Sequence, residues 1–592
     1  MKSRSEIEEK YKWDLTQYCK DDCDFEKRLS AISQKVDEFA AFEGKLLDDA
    51  FLLQCLEFET EVGKELSLLG VYAFLRLCED KANRKANEMN ENFSVVATKL
   101  STATTFIEVE IGKFKAEKLK TLQKDKKFSN YARFFEGILR DKKHMLSKKE
   151  ELLLSKMGTF LGGFSDNFDK FNDVDLKFAQ IEDSNGKKHD LDQSNYSLYV
   201  ENKDRVLRKN AFKELNGKYG ENINFLTSNY TSDVKADCTF AKVRKFKSAL
   251  AASIYAEEAS EKVYEMLIKK VRENVSLLQR YFEIKRKMLK LGKFAIYDSF
   301  APVEEEIDQK FTYEQALEMV KEAVSVLGEE YVLLIEKSAK DRWIDVLPNK
   351  NKESGAFSSG AYGANPVVLT NFEGNLESVF ILAHELGHAM HTYFSNKNQP
   401  IQTSDYVIFV AEVASNVNEM LLLQMLLSKA KTDKEKIYYY DHFLRQMRSS
   451  IFRQTMFAEF EAYVHEEYEK ETPLTPELLC EKYEDLNKFY HGEKVELIDE
   501  IKFEWARIPH FYRSFYVYKY AIGLICAIKI VNKLKKDENF ANKYIKFLSS
   551  GGSSDPISLL KIAECDLEKE ETFDDAFAEC EKFISEWEKL LK

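Results

Sequence analysis

Between residues 51 and 77 the sequence FLLQCLEFETEVGKELSLLGVYAFLRL repeats its apolar residues at intervals of three and four. That is the period of a helix burying one face. All eight prolines lie at or after Pro302, so nothing of that kind interrupts long helices in the first 301 residues. Residues 1–180 therefore read as stacked helices. In FAQIEDSNGKKHDLDQ the pair Asn185-Gly186 stands between two short segments, a combination suited to a tight hairpin, and it marks a boundary. From Tyr196 helical spacing returns through KDRVLRKNAFKEL and EKVYEMLIKKVRENVSLLQRYFEIKRKML.

Residues 342–372 have a different texture. RWIDVLP and NPVVLTNF are short and β-branched, and the stretch between them, ESGAFSSGAYGAN, is rich in Gly and Ser. A small sheet with a Gly-rich loop is expected there. The next segment, GNLESVFILAHELGHAMHTYF, offers Asn375 as a helix cap and Leu376, Val379, Phe380 and Ala383 as an apolar face.

Composition narrows the function classes. The 592 residues are 44% apolar and carry a net charge of −13, which gives ample core for more than one structural unit and lacks the basic excess that nucleic acid demands. The most apolar runs, MLLLQMLL at 420–427 and YAIGLICAI at 520–528, are far shorter than the ~18 residues needed to span a bilayer, so they read as buried helix and no membrane partner is expected. The start interleaves charged and apolar residues without a secretory core. Nine scattered cysteines then suggest reduced thiols in a cytoplasm. The Lys-rich stretch at 113–128 reads as a solvated helix face.

The chemistry concentrates in His384-Glu-Leu-Gly-His388. A helix turns about 100° per residue, so imidazoles four apart share a face and can reach one ion. Zn2+ suits imidazole nitrogen, and a catalytic zinc usually takes a third protein ligand. Glu385 projects beside the same face, where a carboxylate can take a proton from the attacking water. His391 lies one turn further and is left out of the metal set, its own hydrogen bonds being its expected occupation. DYVIFVAEVASNVNEMLLLQML forms a second helix with two inward candidates for the third ligand, Glu412 and Glu419. They are seven residues apart on one face, and spacing does not separate a ligand from a carboxylate that orients an imidazole.

GAFSSGAYGANPVVLTNFEGNLESVFILAHELGHAMH followed by FVAEVASNVNE resembles the oligoendopeptidase F branch of the thimet oligopeptidase family of zinc metallopeptidases. KYKWDL at 10–15, YDSFAPV at 297–303, FRQTMFAEFE at 452–461 and RIPHFYRSFYVYKYA at 507–521 extend the likeness over nearly the whole chain. The resemblance implies a mainly α fold, a multi-helical ellipsoid enclosing a deep channel, with a small zincin-type β-sheet beside the active-site helix. It implies an N-terminal helical domain at 1–195, with the oligopeptidase F module at about 113–183, and a catalytic domain at 196–592. It gives Glu412 as the third ligand of one zinc per chain and leaves Glu419 behind an imidazole.

The implied activity is hydrolysis of internal bonds in short unstructured peptides by a zinc-activated water. A non-catalytic peptide-binding protein is the alternative. Zincin logic makes PVVLTNF an edge strand against which the substrate backbone pairs. The loop carrying Gly360, Tyr362 and Gly363 is then expected to close over the peptide. Ser358 stands where many relatives have cysteine, so thiol-dependent behaviour does not carry over. The likeness also places a His and a Tyr of the segment 507–521 as donors to the tetrahedral intermediate. His510 with one of Tyr516, Tyr518 and Tyr520 is the local match, since the spacing differs among relatives; Tyr518 is the expected partner, and Tyr516 and Tyr520 are expected to contact substrate. On a continuous helix Tyr512, Tyr516 and Tyr520 would share one face.

Overall fold

The computed structural model describes residues 2–304 and 309–591, the side chains of residues 148, 152, 155, 159 and 160 excepted. The chain is 71% helical with only small sheets. Contacts gather it into two compact units. One comprises Met1–Met145, Asp308–Met425 and Ile530–Cys565, and the other Leu146–Ile307, Leu426–Lys529 and Asp566–Lys592. Sequence order suggested a division at residue 195. Local turn signals mark where the chain bends, whereas compactness depends on which distant segments share a core.

In the first unit the periodic N-terminal segments form the helices Asp22–Lys35, Asp49–Glu79 and Arg84–Ile111. Asp21, Asp48 and Asn83 cap them by accepting backbone N–H bonds, which satisfies donors that a helix start leaves open. Their apolar stripes, among them Phe25, Leu56, Leu69 and Met89, meet in one core with Val367 and Leu369. The sheet therefore rests on the N-terminal helices.

That sheet has three strands. Val367–Leu369 lies in the middle, parallel to Ile344–Asp345 and antiparallel to Phe357–Ser359, with Ser358 opposite Val368. Two corrections follow. The segment PVVLTNF is the central strand, because its three valine and leucine side chains are wholly buried and both its edges are paired. The edge strand is Phe357–Ser359, within the stretch expected to be only loop; pairing with a fully buried neighbour overrides the weak strand preference of serine. Lys352, buried below the sheet, donates to the carbonyls of Asp345, Leu347 and Thr370 and pairs with the Asp345 carboxylate at 2.7 Å.

The second unit is built around Arg205–Glu221, Ile223–Val243, Gln454–Glu469 and Pro476–His491. The expected hairpin is present: Ile181–Glu182 pairs with Lys188–His189, and Gly186 takes the positive φ of 76° that a turn needs. The apolar runs at 420–427 and 520–528 lie within helices, with Met420, Leu422, Ile522 and Ile525 at most 1% exposed. Among the described residues no helix is long and apolar enough to cross a membrane.

Candidate metal centre and active site

Asn375 caps the helix Leu376–Asn398 by accepting the Ser378 N–H at 2.9 Å. Leu376, Val379, Phe380 and Ala383 are buried as expected, while Glu377 and Ile381 are exposed. A second helix, Ile408–Lys429, crosses it at very short range. A methyl group added at Gly387 would sit 2.7 Å from the Ala414 carbonyl oxygen and 2.7 Å from the Ser415 Cα. Only glycine allows this approach. Asn418 locks the crossing, donating to the Ala383 carbonyl at 3.1 Å and accepting from the Tyr331 hydroxyl at 2.9 Å.

The close crossing puts Glu412 beside the two imidazoles. One ligand atom from each of His384, His388 and Glu412 lies within 4.8 Å of the others. The His384 and His388 Nε2 atoms are 3.2 Å apart, and His384 Nε2 is 3.8 Å from Glu412 Oε2. Each ring is held from behind. His384 Nδ1 meets Glu419 Oε1 at 2.5 Å, and the His388 ring bonds the backbone of Ala411. With Nδ1–H of His384 directed at Glu419, its Nε2 offers a lone pair to the space it shares with His388 and Glu412.

Two nitrogens ~2.0–2.1 Å from one tetrahedral ion stand about 3.3 Å apart, so the observed spacing fits a shared ion. Two imidazoles and a carboxylate are the donor set of a catalytic zinc site. The residues present fit the metal.

Burial and mutual charge shift the titrating groups of the site. Burial lowers the His384 imidazole, but the bond from Glu419 and the charges of Glu385 and Glu412 raise it, with a net rise to about 9. Burial and the charge of His384 depress His388 to about 3. Burial raises Glu412, against the pull of His384. Glu385 is 7% exposed, and burial lifts its carboxyl to about 7. A cavity of about 540 Å3 adjoins His384 and Glu385 and is walled by Ala356, Thr370, Phe372 and Ile381.

His391, kept out of the metal set, stacks on Tyr406 with ring centres 3.7 Å apart and is 1% exposed. Burial and the nearby His388 push it down to about 3. Gly360, Tyr362 and Gly363 follow the edge strand directly. The Tyr362 hydroxyl donates to the Gln399 carbonyl at 3.1 Å, and the three are not among the residues lining the cavity.

The segment 507–521 departs from expectation. It is not one helix: 3-10 turns at Asp499–Arg507 and Pro509–Tyr512 precede a left-handed Phe515, at φ 59°, and the next helix begins only at Tyr518. Tyr512 therefore leaves the face of its neighbours, packing 5.0 Å from Phe168 and accepting from Asn229. Tyr516 and Tyr520 stand with His510, ring centres 6.0 and 5.9 Å away, and the Tyr520 hydroxyl is 3.4 Å from His510 Nε2. Tyr518, the expected partner, is instead 1% exposed and packs at 5.2 Å on Tyr264. Burial, with the adjacent Arg513, lowers His510.

Sequence reasoning missed Gly387 and Asn418. The signal for Gly387 was its cost, roughly 1 kcal/mol relative to alanine within a helix, which close packing offsets. For Asn418 it was an amide inside an otherwise apolar helix face.

A helical fold whose two crossed helices present His-Glu-x-x-His and a third carboxylate to one point defines a metallopeptidase. Over residues 198–579 the chain matches peptidase family M3, and over 110–178 it matches Oligopeptidase F. Oligopeptidase PepF of Bacillus subtilis is 36% identical over 99% of this chain and 88% of its own length. The oligoendopeptidase F homolog of Borreliella burgdorferi is 36% identical over 97% of each chain. Among solved structures, oligoendopeptidase-F from Enterococcus faecium superposes with a TM-score of 0.75 at 30% identity, covering 96% of this chain and 99% of that one. The chain belongs to peptidase family M3, in its oligoendopeptidase F branch. It is a metal-dependent endopeptidase whose substrates are peptides.

Proposed function

We propose that this chain cleaves internal bonds of short, unstructured peptides with one zinc ion held by His384, His388 and Glu412. The observation that carries the proposal is the convergence of the two Nε2 atoms at 3.2 Å beside Glu412, with Glu385 next to His384. Zinc, when bound, polarises the scissile carbonyl and makes its water acidic. Glu385 takes the proton of the attacking water and passes it to the leaving amine. Glu419 fixes the His384 ring, so that Nε2 keeps its lone pair for the ion.

The substrate is read as extended backbone. Phe357–Ser359 is an edge of the sheet, and a peptide strand adding to it gains main-chain hydrogen bonds that a folded protein does not offer. Gly360, Tyr362 and Gly363 would meet the part of the peptide running past Ser359. His510 and Tyr520 are proposed as donors to the developing oxyanion, with Tyr516 contacting substrate. Nine free cysteines, eight of them buried, support a reducing cytoplasm as the working compartment. The separate family matches at 110–178 and 198–579 support a division of the chain near residue 195.

The test is Glu385→Gln, which removes the base and no ligand. With a pool of short peptides, mass spectrometry is expected to show internal cleavage by the wild type. The variant is expected to turn over ~10²–10⁴-fold more slowly with zinc content unchanged. Retained turnover in the zinc-loaded variant would remove Glu385 from the mechanism.

A further inference from the structure

Glu461 is a buried carboxyl with no part in the chemistry described above. It lies on the helix Gln454–Glu469, is 0% exposed, and its Oε1 accepts the Phe515 N–H at 2.7 Å. Its Oε2 has no partner among the described residues. Burial drives its pKa well above the ordinary carboxyl range, opposed by the Phe515 bond, and Asp237 and Asp233 add to the rise. Burying a carboxyl so incompletely satisfied costs stability, and a fold that keeps one gains something else from it.

What it holds is strained backbone. Phe515 sits at φ 59°, a region that suits glycine and costs a bulky residue of order 1–3 kcal/mol. Surrounding groups force the conformation. The Phe515 ring is 1% exposed, 4.6 Å from the His465 ring and 6.1 Å from that of Tyr264. His465 donates through Nδ1 to the Glu461 carbonyl one turn back. The Ser514 hydroxyl donates to Asp237 Oδ2, and the Ser514 carbonyl accepts from Ser253 at 3.1 Å. Two consecutive residues are thus tied to three separate helices.

This turn stands between His510 and the two tyrosines that contact it. We propose that Glu461, seconded by Asp237, is a positioning residue: by anchoring the Phe515 amide it holds the left-handed turn that carries Tyr516 and Tyr520 back against His510. The inference rests on the proposed role of His510 and Tyr520 in stabilising the oxyanion. Without the anchor the amide would be an unpaired buried donor, and the turn would relax toward a conformation that separates the rings. Displacement by an ångström in a catalytic group can cost ~10² in rate.

The experiment compares Glu461→Gln and Glu461→Met in the zinc-loaded enzyme. Gln keeps an acceptor oxygen and is expected to turn over within a few-fold of wild type. Met removes it, and turnover is expected to fall by about 10²-fold at nearly constant KM and unchanged zinc content. In a Tyr520→Phe background the Met substitution is expected to add almost nothing, because both changes disable the same cluster. Should Glu461→Met fail to fold, Ser514→Ala, which releases the tie to Asp237, is expected to show a smaller fall with the same dependence on Tyr520. Losses that multiply with Tyr520→Phe, a Gln variant as slow as Met, or a rise in KM alone would each overturn the assignment. Full turnover in both His510→Ala and Tyr520→Phe would overturn the oxyanion role itself, and the positioning role with it. A fall in those two with none in Glu461→Met would overturn the positioning role alone.

Discussion

The metal cradle and the aromatic cluster at His510 achieve the same thing, convergence of side chains on a point, by opposite means. His384 and His388 stand on one unbroken helix whose pitch alone aligns them, and Glu412 arrives because Gly387 lets a second helix come close. His510, Tyr516 and Tyr520 are spread over a 3-10 turn, an irregular stretch and the first turn of another helix. Their meeting depends on a left-handed residue held by Glu461. Regular backbone encodes a site in residue spacing. Irregular backbone encodes it in whatever holds the irregularity, which lies elsewhere in the sequence.

The sharpest way to break this comparison is at the tyrosines. Tyr520→Phe removes one hydroxyl from the cluster and is expected to lower turnover by ~10²–10³ with little change in KM, as for other lost oxyanion donors. Tyr518→Phe, in the core against Tyr264, is expected to stay within a few-fold of wild type. Steady-state kinetics on one quenched peptide decides between them, and reversed results would restore Tyr518 as the partner of His510.

On the cradle side, Glu419→Ala leaves all three ligands but frees the His384 ring. Zinc affinity is expected to fall by roughly 10–100-fold, measured by competition with a chromophoric chelator. Complete loss of zinc would make Glu419 a ligand in its own right. Gly387→Ala tests the crossing itself, where a single methyl must push the two helices apart. A stability loss of about 1–3 kcal/mol in urea unfolding is expected, together with weaker zinc binding. Unchanged stability would mean that the crossing is looser than the 2.7 Å contacts imply.

These contrasts explain what was legible beforehand. The helical character of the chain, the hairpin at Asn185-Gly186 and the cap at Asn375 follow from local periodicity and turn chemistry, and all are present. His384, Glu385 and His388 were readable because their geometry is set within five residues. Glu412 and Glu419 were readable as a pair, and resemblance rather than spacing separated them; the structure now places the Glu419 carboxylate behind the His384 ring at 2.5 Å. The edge strand escaped notice because Phe357–Ser359 is a strand only through its neighbour Val367–Leu369. Tyr512 was grouped with Tyr516 and Tyr520 because i, i+4 arithmetic presupposes a helix, and nothing local announces that Phe515 interrupts it.

The crossing at Gly387 has a thermal corollary. An ion gripped by residues from both helices belongs to the folded chain and has no comparable site in the unfolded one, so its binding energy is added to the energy of folding. At a free concentration a thousand times the dissociation constant this amounts to about 4 kcal/mol. Heat resistance then becomes a gauge of occupancy, blind to whether the occupant supports hydrolysis. A divalent ion that raises the melting temperature without restoring turnover would be a spectator lodged in the cradle, and loading itself could be read with no substrate at all.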